Sequence, residues 1–408
     1  MKCRFCNHDL KIEFIDLINS PLSNSYLSEE QLREPETFFP LKLFICQNCF
    51  LVQIDEMKKA SEIFNQDYAY FSSFSSSWLN HARLYVDMIT NRFQYDGDTQ
   101  VIEIASNDGY LLQYFKKKNI PVIGIEPSNS VADAAKAKGI ETIIDFFTSK
   151  LATYLVSKEI KADLLIGNNV FAHVPDINDF VQGLKIILKE DGVFTLEFPH
   201  LMELIQKNQF DTIYHEHFSY FSLNTVNLIF EKYHLQIFDV EQINTHGGSL
   251  RIYGKHRDDN SKKISKNVDA LIRKEEIEGM KNLDYYKDFE QKVIVEKNNL
   301  MSFLIEKNNK NKKVIAYGAA AKGNTLLNYC GIKNNLIDFV VDASPFKQGK
   351  YLPGSHIPIV KEKWIKDYKP DYILVLPWNL KSEIVPQLEY VRAWGCKFVI
   401  PIPTLEII

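Results

Sequence analysis

Between residues 98 and 198 the chain alternates short runs of aliphatic residues with stretches of helical periodicity. Apolar runs at 100–105 (QVIEIA), 121–126 (PVIGIE), 163–166 and 192–198, with a shorter one at 142–145, predict strands. Amphipathic spacing predicts helices at 110–118, 128–138, 148–157 and 177–188. Strands this apolar are covered on both faces, so the pattern is a parallel βαβ series, an α/β doubly wound sheet. A charged, proline-free stretch follows at 258–299, where Ile264, Val268, Leu271, Ile272, Met280, Leu283, Tyr286, Phe289 and Val293 recur at mostly three- or four-residue steps. That spacing predicts one long or broken amphipathic helix joining two α/β units, with one face solvated. Beyond it, strands at 313–317, 336–341, 372–376 and 397–402, with helices at 322–329 and 381–393, predict a second, smaller Rossmann-like unit.

Four of the six cysteines change the reading of the N-terminus. Cys3, Cys6, Cys46 and Cys49 form two C-x2-C pairs separated by 39 residues. In a reducing compartment such knuckles favour tetrahedral zinc, with redox cysteines as the alternative. Four thiolates leave no open coordination position, so the zinc would be structural. The expected organisation is a zinc module over residues 1–75, an α/β domain over 76–257, a linking helix over 258–312 and the second unit over 313–408.

At 408 residues the chain has room for two or three cores, and its formal net charge of -4 argues against a nucleic-acid surface. No apolar run approaches the roughly 20 residues of a membrane span. The opening MKCRFCNHDL has no apolar signal core, so cytoplasmic residence is the default expectation; a monomer is expected separately.

The chemistry concentrates in a few stretches. Glu103-Ile104-Ala105-Ser106-Asn107-Asp108-Gly109 follows the first strand of the series and opens a helix, the place where doubly wound sheets bind nucleotides. Its form, E-x-A-x-N-x-G, is poor in glycine beside the dinucleotide fingerprint. Glu126 ends the next strand, followed by Pro127, where a carboxylate can accept from both ribose hydroxyls. The pair points to S-adenosylmethionine, with NAD as the competing ligand. Asn168 and Asn169 end a later strand at the same sheet edge, where they would touch the cofactor or satisfy the turn; His173 would face the reaction centre or cap a helix.

YHEHFSYFS (214–222) contains two histidines, a carboxylate and two phenols. As a strand it would place His215 and His217 on one face; as a turn it would let neighbours converge. A metal site and a plain polar cluster stand as alternatives to acid/base chemistry. The block DYAYFSSFSSSW (67–78) is dense in hydroxyls and reads either as part of a site or as a serine-rich connector. In the second unit, GAAAKGNT (318–325) is a strand-to-helix turn with Lys322 and Asn324 beside backbone donors, and Lys347 lies in a basic loop after the next strand. That arrangement suits a phosphate or serves as a structural cap.

Taken in order, the C-x2-C pairs, DYAYFSSFSSSW, EIASNDGYLL, GNNVFAHVPD, YHEHFSYFS, THGGSLR and IAYGAAAKGNTLLNY resemble the zinc-containing, S-adenosylmethionine-dependent C-methyltransferases that branch nucleotide-linked deoxysugars. The resemblance spans essentially the whole chain. It implies methylation at C3′ of a nucleotide-linked 4-keto-6-deoxyhexose (dTDP or GDP), with zinc as a structural ion; the alternatives are an NAD-dependent sugar-nucleotide oxidoreductase and a non-catalytic, zinc-anchored binding protein. It further implies His217 as general base, with His173 as the rival, Glu216 orienting His217 or contacting the sugar, and Tyr214 and Tyr68 donating to an enolate. Tyr70, Lys322, Asn324 and Lys347 would contact the substrate.

Overall fold

The computed structural model describes residues 1–59, 62 and 71–408. The N-terminal sheet begins with β1 (Ile12–Ser20), β2 (Phe39–Ile45) and β3 (Val52–Ile54), all antiparallel. Helix α1 (Ser76–Phe93) follows, its first turn capped by the Ser75 hydroxyl accepting from the Trp78 amide.

The central sheet contains β4 (Val101–Ile104), β5 (Val122–Ile125), β6 (Thr142–Ile143), β7 (Ala162–Asn168) and β8 (Leu188–Pro199). Next, β9 (Ser219–Tyr220) leaves this sheet and pairs with β3, Tyr220 opposite Val52, so the YHEHFSYFS stretch supplies the edge strand of the N-terminal sheet. Helix α2 (Leu223–Lys232) leads into the hairpin of β10 (Leu235–Ile243) and β11 (Ser249–His256). The seven-stranded order is β10-β11-β8-β7-β4-β5-β6. From β6 to β8 the pairings are parallel; β11 joins β8 antiparallel. The doubly wound reading therefore holds, with an antiparallel hairpin added at one edge. The chain reverses direction of winding between β4 and β7, and the crevice at their carboxyl ends is the ligand position of such sheets.

The linking helix of 258–312 is two helices. Helix α3 (Lys266–Ile277) and helix α4 (Phe289–Asn309) are separated by a turn in which Gly279 has φ +94°, a conformation that side chains resist. Neither helix is a free connector. Helix α3 buries Val268, Leu271 and Glu275 against the central domain, whereas Phe289 of α4 stacks on Phe14 of β1 at 4.9 Å. Ile264, expected on the apolar face, is exposed.

Glu275 is wholly buried and holds the start of α2: its carboxylate accepts from the amides of Leu223 (2.6 Å) and Asn224 (2.8 Å) and from His200 Nε2 at 2.7 Å. The Asn224 side-chain amide donates to it too, at 2.7 Å, and replacing Glu275 by alanine takes the acceptor from all four donors. Glu275→Ala should therefore cost about 3–5 kcal/mol, read as a lowered urea midpoint.

The second α/β unit has β12 (Val314–Tyr317), helix α5 (Ala321–Cys330), β13 (Val340–Val341), β14 (Ile359–Val360), β15 (Tyr372–Val375), β16 (Lys397–Ile400) and an antiparallel β17 (Glu406–Ile407). The order is β14-β13-β12-β15-β16-β17. Its core is continuous with that of β1, β2 and α4, so the N-terminal sheet packs on this unit as well as on the central one. Among the described residues no helix is long and apolar enough to cross a membrane.

Candidate active site

One cavity of about 1360 Å³ opens where the three sheets meet. A single small-molecule site usually occupies roughly 300–1,000 Å³, so this one has room for two sizeable ligands.

The first wall is the crevice of the central sheet, lined by Ala105, Asn107, Glu126, Pro127, Asn168 and Asn169. The glycine-poor turn behaves as a glycine-rich one: Ala105 (φ +55°), Asn107 (φ +49°) and Gly109 (φ +73°) are all left-handed. Each non-glycine residue held there costs about 1–2 kcal/mol, strain of the kind that collects at functional turns. The turn is fastened by Glu126, whose two carboxylate oxygens accept from the amides of Asn107 (3.0 Å) and Ser128 (2.9 Å). Burial pushes Glu126 up to about 7, and its carboxylate retains acceptor sites toward the cavity. Asn168 is 7% exposed, and its amide nitrogen and oxygen have no protein partner among the described residues. A buried amide in a cavity wall is a ready contact for a polar ligand. Glu103 and Gly109 do not line the cavity, contrary to the expectation of direct contact. Glu103 is fully buried behind the turn, its carboxyl pushed well above the usual range by burial and partly offset by the Tyr110 phenol. Gly109 allows the close packing of Ile140, whose Cδ1 would lie 2.3 Å from an added Cβ.

The second wall is the histidine loop. Residues 215 and 216 form a turn, so the strand reading of YHEHFSYFS applies to its second half alone. The turn separates the two histidines: His215 reaches away to Pro40 O at 3.1 Å, while His217 lines the cavity. His217 Nδ1 donates to Thr212 O at 2.9 Å, which makes Nε2 the basic nitrogen, and the Tyr214 phenol donates to it at 2.9 Å. His173 packs edge-on to His217 at 4.7 Å and donates from Nδ1 to Glu216 O at 2.8 Å. Burial, and for His217 the neighbouring His173, favours neutral rings: His173 falls to about 4 and His217 lies well below the usual range. The Glu216 carboxylate accepts from Asn24 Nδ2 at 2.6 Å, and burial pushes it up to about 7. Tyr68 and Tyr70 lie outside the described residues.

The third wall comes from the second unit. Lys322 opens α5, lines the cavity over the Trp378 ring at 4.9 Å, and donates to Asn379 Oδ1 at 3.0 Å. Burial lowers its pKa, opposed by buried Asp211 nearby. Lys347 also lines the cavity and donates to Ala319 O at 2.8 Å. Asn324 does not reach the cavity: it is 1% exposed, on a side of α5 turned into the protein.

Several wall residues escaped the sequence reading. Asp145 and Phe146 lie beyond β6 in the same cavity as Glu126. His81 donates to Glu197 (2.8 Å), which also holds Arg251 (2.6 Å). His246, left-handed at φ +54°, meets Asn169 Nδ2 at 2.9 Å. The THGG sequence of its loop was the available signal, since consecutive glycines mark a tight backbone.

The four N-terminal cysteines converge. Their sulfurs lie within 4.8 Å of one another, with Cys3 to Cys49 at 3.6 Å and Cys6 to Cys46 at 3.5 Å. Tetrahedral zinc with bonds of about 2.3 Å needs sulfurs about 3.8 Å apart, so the set fits a closed four-thiolate site. Gln53 Nε2 donates to Cys3 Sγ at 3.3 Å, a contact that steadies a thiolate ligand.

Comparison with known proteins agrees with this architecture. Residues 3–64 match a zinc binding domain, 78–240 a methyltransferase domain, and 244–403 a C-methyltransferase C-terminal domain. The C-methyltransferase NovU of Streptomyces niveus is 33% identical over 410 aligned positions, covering 100% of this chain and 96% of that protein. Among solved structures, the PH0226 protein of Pyrococcus horikoshii covers 49% of this chain and 99% of its own at 14% identity, TM-score 0.38. Magnesium protoporphyrin IX methyltransferase of Synechocystis covers 48% and 88% at 12% identity, TM-score 0.35. These two similarities are too low to bear on activity, whereas the full-length match does bear on it. The chain belongs to the zinc-containing, S-adenosylmethionine-dependent C-methyltransferases.

Proposed function

We propose that the protein methylates C3′ of a nucleotide-linked 4-keto-6-deoxyhexose through an enolate, giving a branched sugar. The observation that carries this reading is one shared cavity, in which a crevice suited to a methyl donor, two neutral histidines and a wall holding two lysines face one another. Bound S-adenosylmethionine would supply an electrophilic methyl group. Glu126 suits its ribose hydroxyls, Asp145 the exocyclic amine of its adenine, and the amides of Asn168 and Asn169 its amino-acid end.

The protein's own residues then serve the carbon acid. His217, kept neutral by burial, is in the form that accepts the C3′ proton at Nε2. Tyr214 must give up its bond to Nε2 for that step, and its phenol then becomes available to the enolate oxygen, joined on the family pattern by Tyr68. Glu216 suits a sugar hydroxyl or the orientation of His217, and Tyr70 a further sugar contact. Lys322 and Lys347 suit the diphosphate, whose charge would offset the cost of burying Lys322. On this reading residues 1–75 anchor the site, 76–257 hold the methyl donor and 313–408 the nucleotide. Cytoplasmic action as a monomer belongs to the same proposal.

Incubation with S-adenosylmethionine and a panel of dTDP-, GDP- and UDP-linked 4-keto-6-deoxyhexoses tests the reading. Mass spectrometry should show the gain of one methyl on one or more of them, placed at C3′ by NMR. Methylation on oxygen, or none on any 4-keto sugar, overturns it.

A further inference from the structure

Between β1 and β2 the chain makes an excursion, residues 21–38, that leaves the N-terminal sheet and runs across the second α/β unit. It is pinned there repeatedly. Leu27 and Tyr351 exchange backbone hydrogen bonds of 3.0 and 2.9 Å, and Glu36 accepts from the Gly354 amide and from His356 Nε2, both at 2.8 Å. Tyr26 donates its phenol to Ala319 O at 2.7 Å, on the loop that leads into α5, and lies beneath the Lys347 ammonium, 5.3 Å from its ring centre. Two residues earlier, Asn24 lines the cavity and directs Nδ2 at Glu216 Oε1 from 2.6 Å, its own Oδ1 lying 3.3 Å from the Tyr26 phenol.

The contact is specific in chemistry as well as in place. Glu216 is 4% exposed, and among the described residues Asn24 is the side chain that offers its carboxylate a hydrogen. A donor at this distance favours the charged form of a carboxyl group, against the burial that disfavours it. Resting on the function proposed above, we propose that Asn24 is a positioning residue: fastened to the second unit through Tyr26, it fixes the Glu216 carboxylate in the cavity and stabilises its ionised form for catalysis. The one residue of the excursion that reaches the reaction centre thus ties the zinc module, the methyl-donor domain and the second unit to a single carboxylate.

The groups around Glu216 set what a titration reads. His173 and His217 are held neutral by burial, Tyr26 is raised by burial, and Lys347 and Asp342 approach each other at 3.9 Å behind Tyr26. Glu216 itself stands at about 7, as does Glu126 on the donor wall, so an acid limb near neutrality is assigned to Glu216 by its response to changes at Asn24, which does not touch Glu126.

The test pairs Asn24→Ala with Asn24→Asp in the full-length zinc-loaded protein. Loss of the donor should move the acid limb of kcat upward by about one pH unit, because the neutral acid is then the easier form to bury. At pH 7 that lowers kcat roughly fivefold, with KM for S-adenosylmethionine unchanged. Asn24→Asp keeps the shape but sets a second carboxyl against the first, and should move the limb at least as far. A readout that needs no substrate accompanies these: the ¹³C titration of the Glu216 side-chain carbon, assigned by its loss in Glu216→Gln. It should move upward in both variants even if the true methyl acceptor is not a keto sugar, which separates failure of this inference from failure of the proposed function. An unshifted Glu216 titration in Asn24→Ala, with only a lowered melting temperature, overturns the proposal.

Discussion

His217→Asn should lower methyl transfer by about 10²- to 10⁴-fold, the usual contribution of a positioned general base. Asparagine suits the test because its side-chain amide can still donate to Thr212 O, the bond His217 now makes from Nδ1, while nothing replaces Nε2. Affinity for S-adenosylhomocysteine, by calorimetry, should be unchanged, because the crevice residues Ala105, Asn107 and Glu126 belong to another wall of the cavity. Exchange of the substrate C3′ proton with deuterium oxide should disappear together with methylation. Retained exchange in His217→Asn, with exchange lost in His173→Asn, would transfer the base to His173. The two rings are close enough, at 4.7 Å, that protonating one opposes protonating the other, so they do not act as two independent bases. The pH profile adds a sign. A histidine held well below its usual range stays neutral throughout the neutral region and gives no limb there, whereas Glu216 and Glu126, both at about 7, do. Activity that requires the Glu216 carboxylate therefore falls as pH drops through about 7.

Much of this arrangement was legible because the signals were local. Strand runs such as VIEI and VIGI carry their own burial pattern, and paired C-x2-C knuckles announce one ion whatever the fold between them. What escaped was set by contacts distant in sequence or by backbone conformation. Nothing near Tyr220 signals that it pairs with Val52, and nothing near Asn24 signals Glu216, 192 residues away. Ala105 and Asn107 disguise a left-handed turn, because tertiary packing holds them where glycine would sit freely. The break at Gly279 was visible as a glycine, but helical periodicity resumes after it. The pattern allowed one long or a broken helix, and it is the broken form that occurs; what the pattern did not carry is that the two halves pack on different units. Asn324 failed for the opposite reason: a small polar residue at the start of a helix looks like a phosphate contact until the rotation of the helix is known.

Removing the zinc should silence the enzyme by way of the histidine loop. Cys46 and Cys49 form the turn between β2 and β3, and β3 carries β9, which begins two residues after His217. The first knuckle reaches the same place from the other side: between Cys3 and Cys6, Arg4 lies 5.1 Å from the Phe218 ring centre and donates to Ile54 O at 3.0 Å and Pro175 O at 3.2 Å. Phe218 follows His217, and Pro175 follows His173 by two residues. An ion bound four-fold by thiolates holds both knuckles, and structural zinc contributes on the order of 10 kcal/mol to modules of this kind. Cys46→Ser, or prolonged chelation, should release one zinc per chain, lower the melting temperature, and abolish methylation along with C3′ exchange. Arg4→Met separates the anchor from the ion. It leaves all four thiolates in place, so zinc content should hold while kcat falls, because the link from the knuckle to the two histidine loops is cut. If Arg4→Met retained full activity, or if the zinc-free protein still exchanged the C3′ proton at the normal rate, the metal would be fastening the N-terminus alone and the histidine loop would owe its geometry to the central sheet.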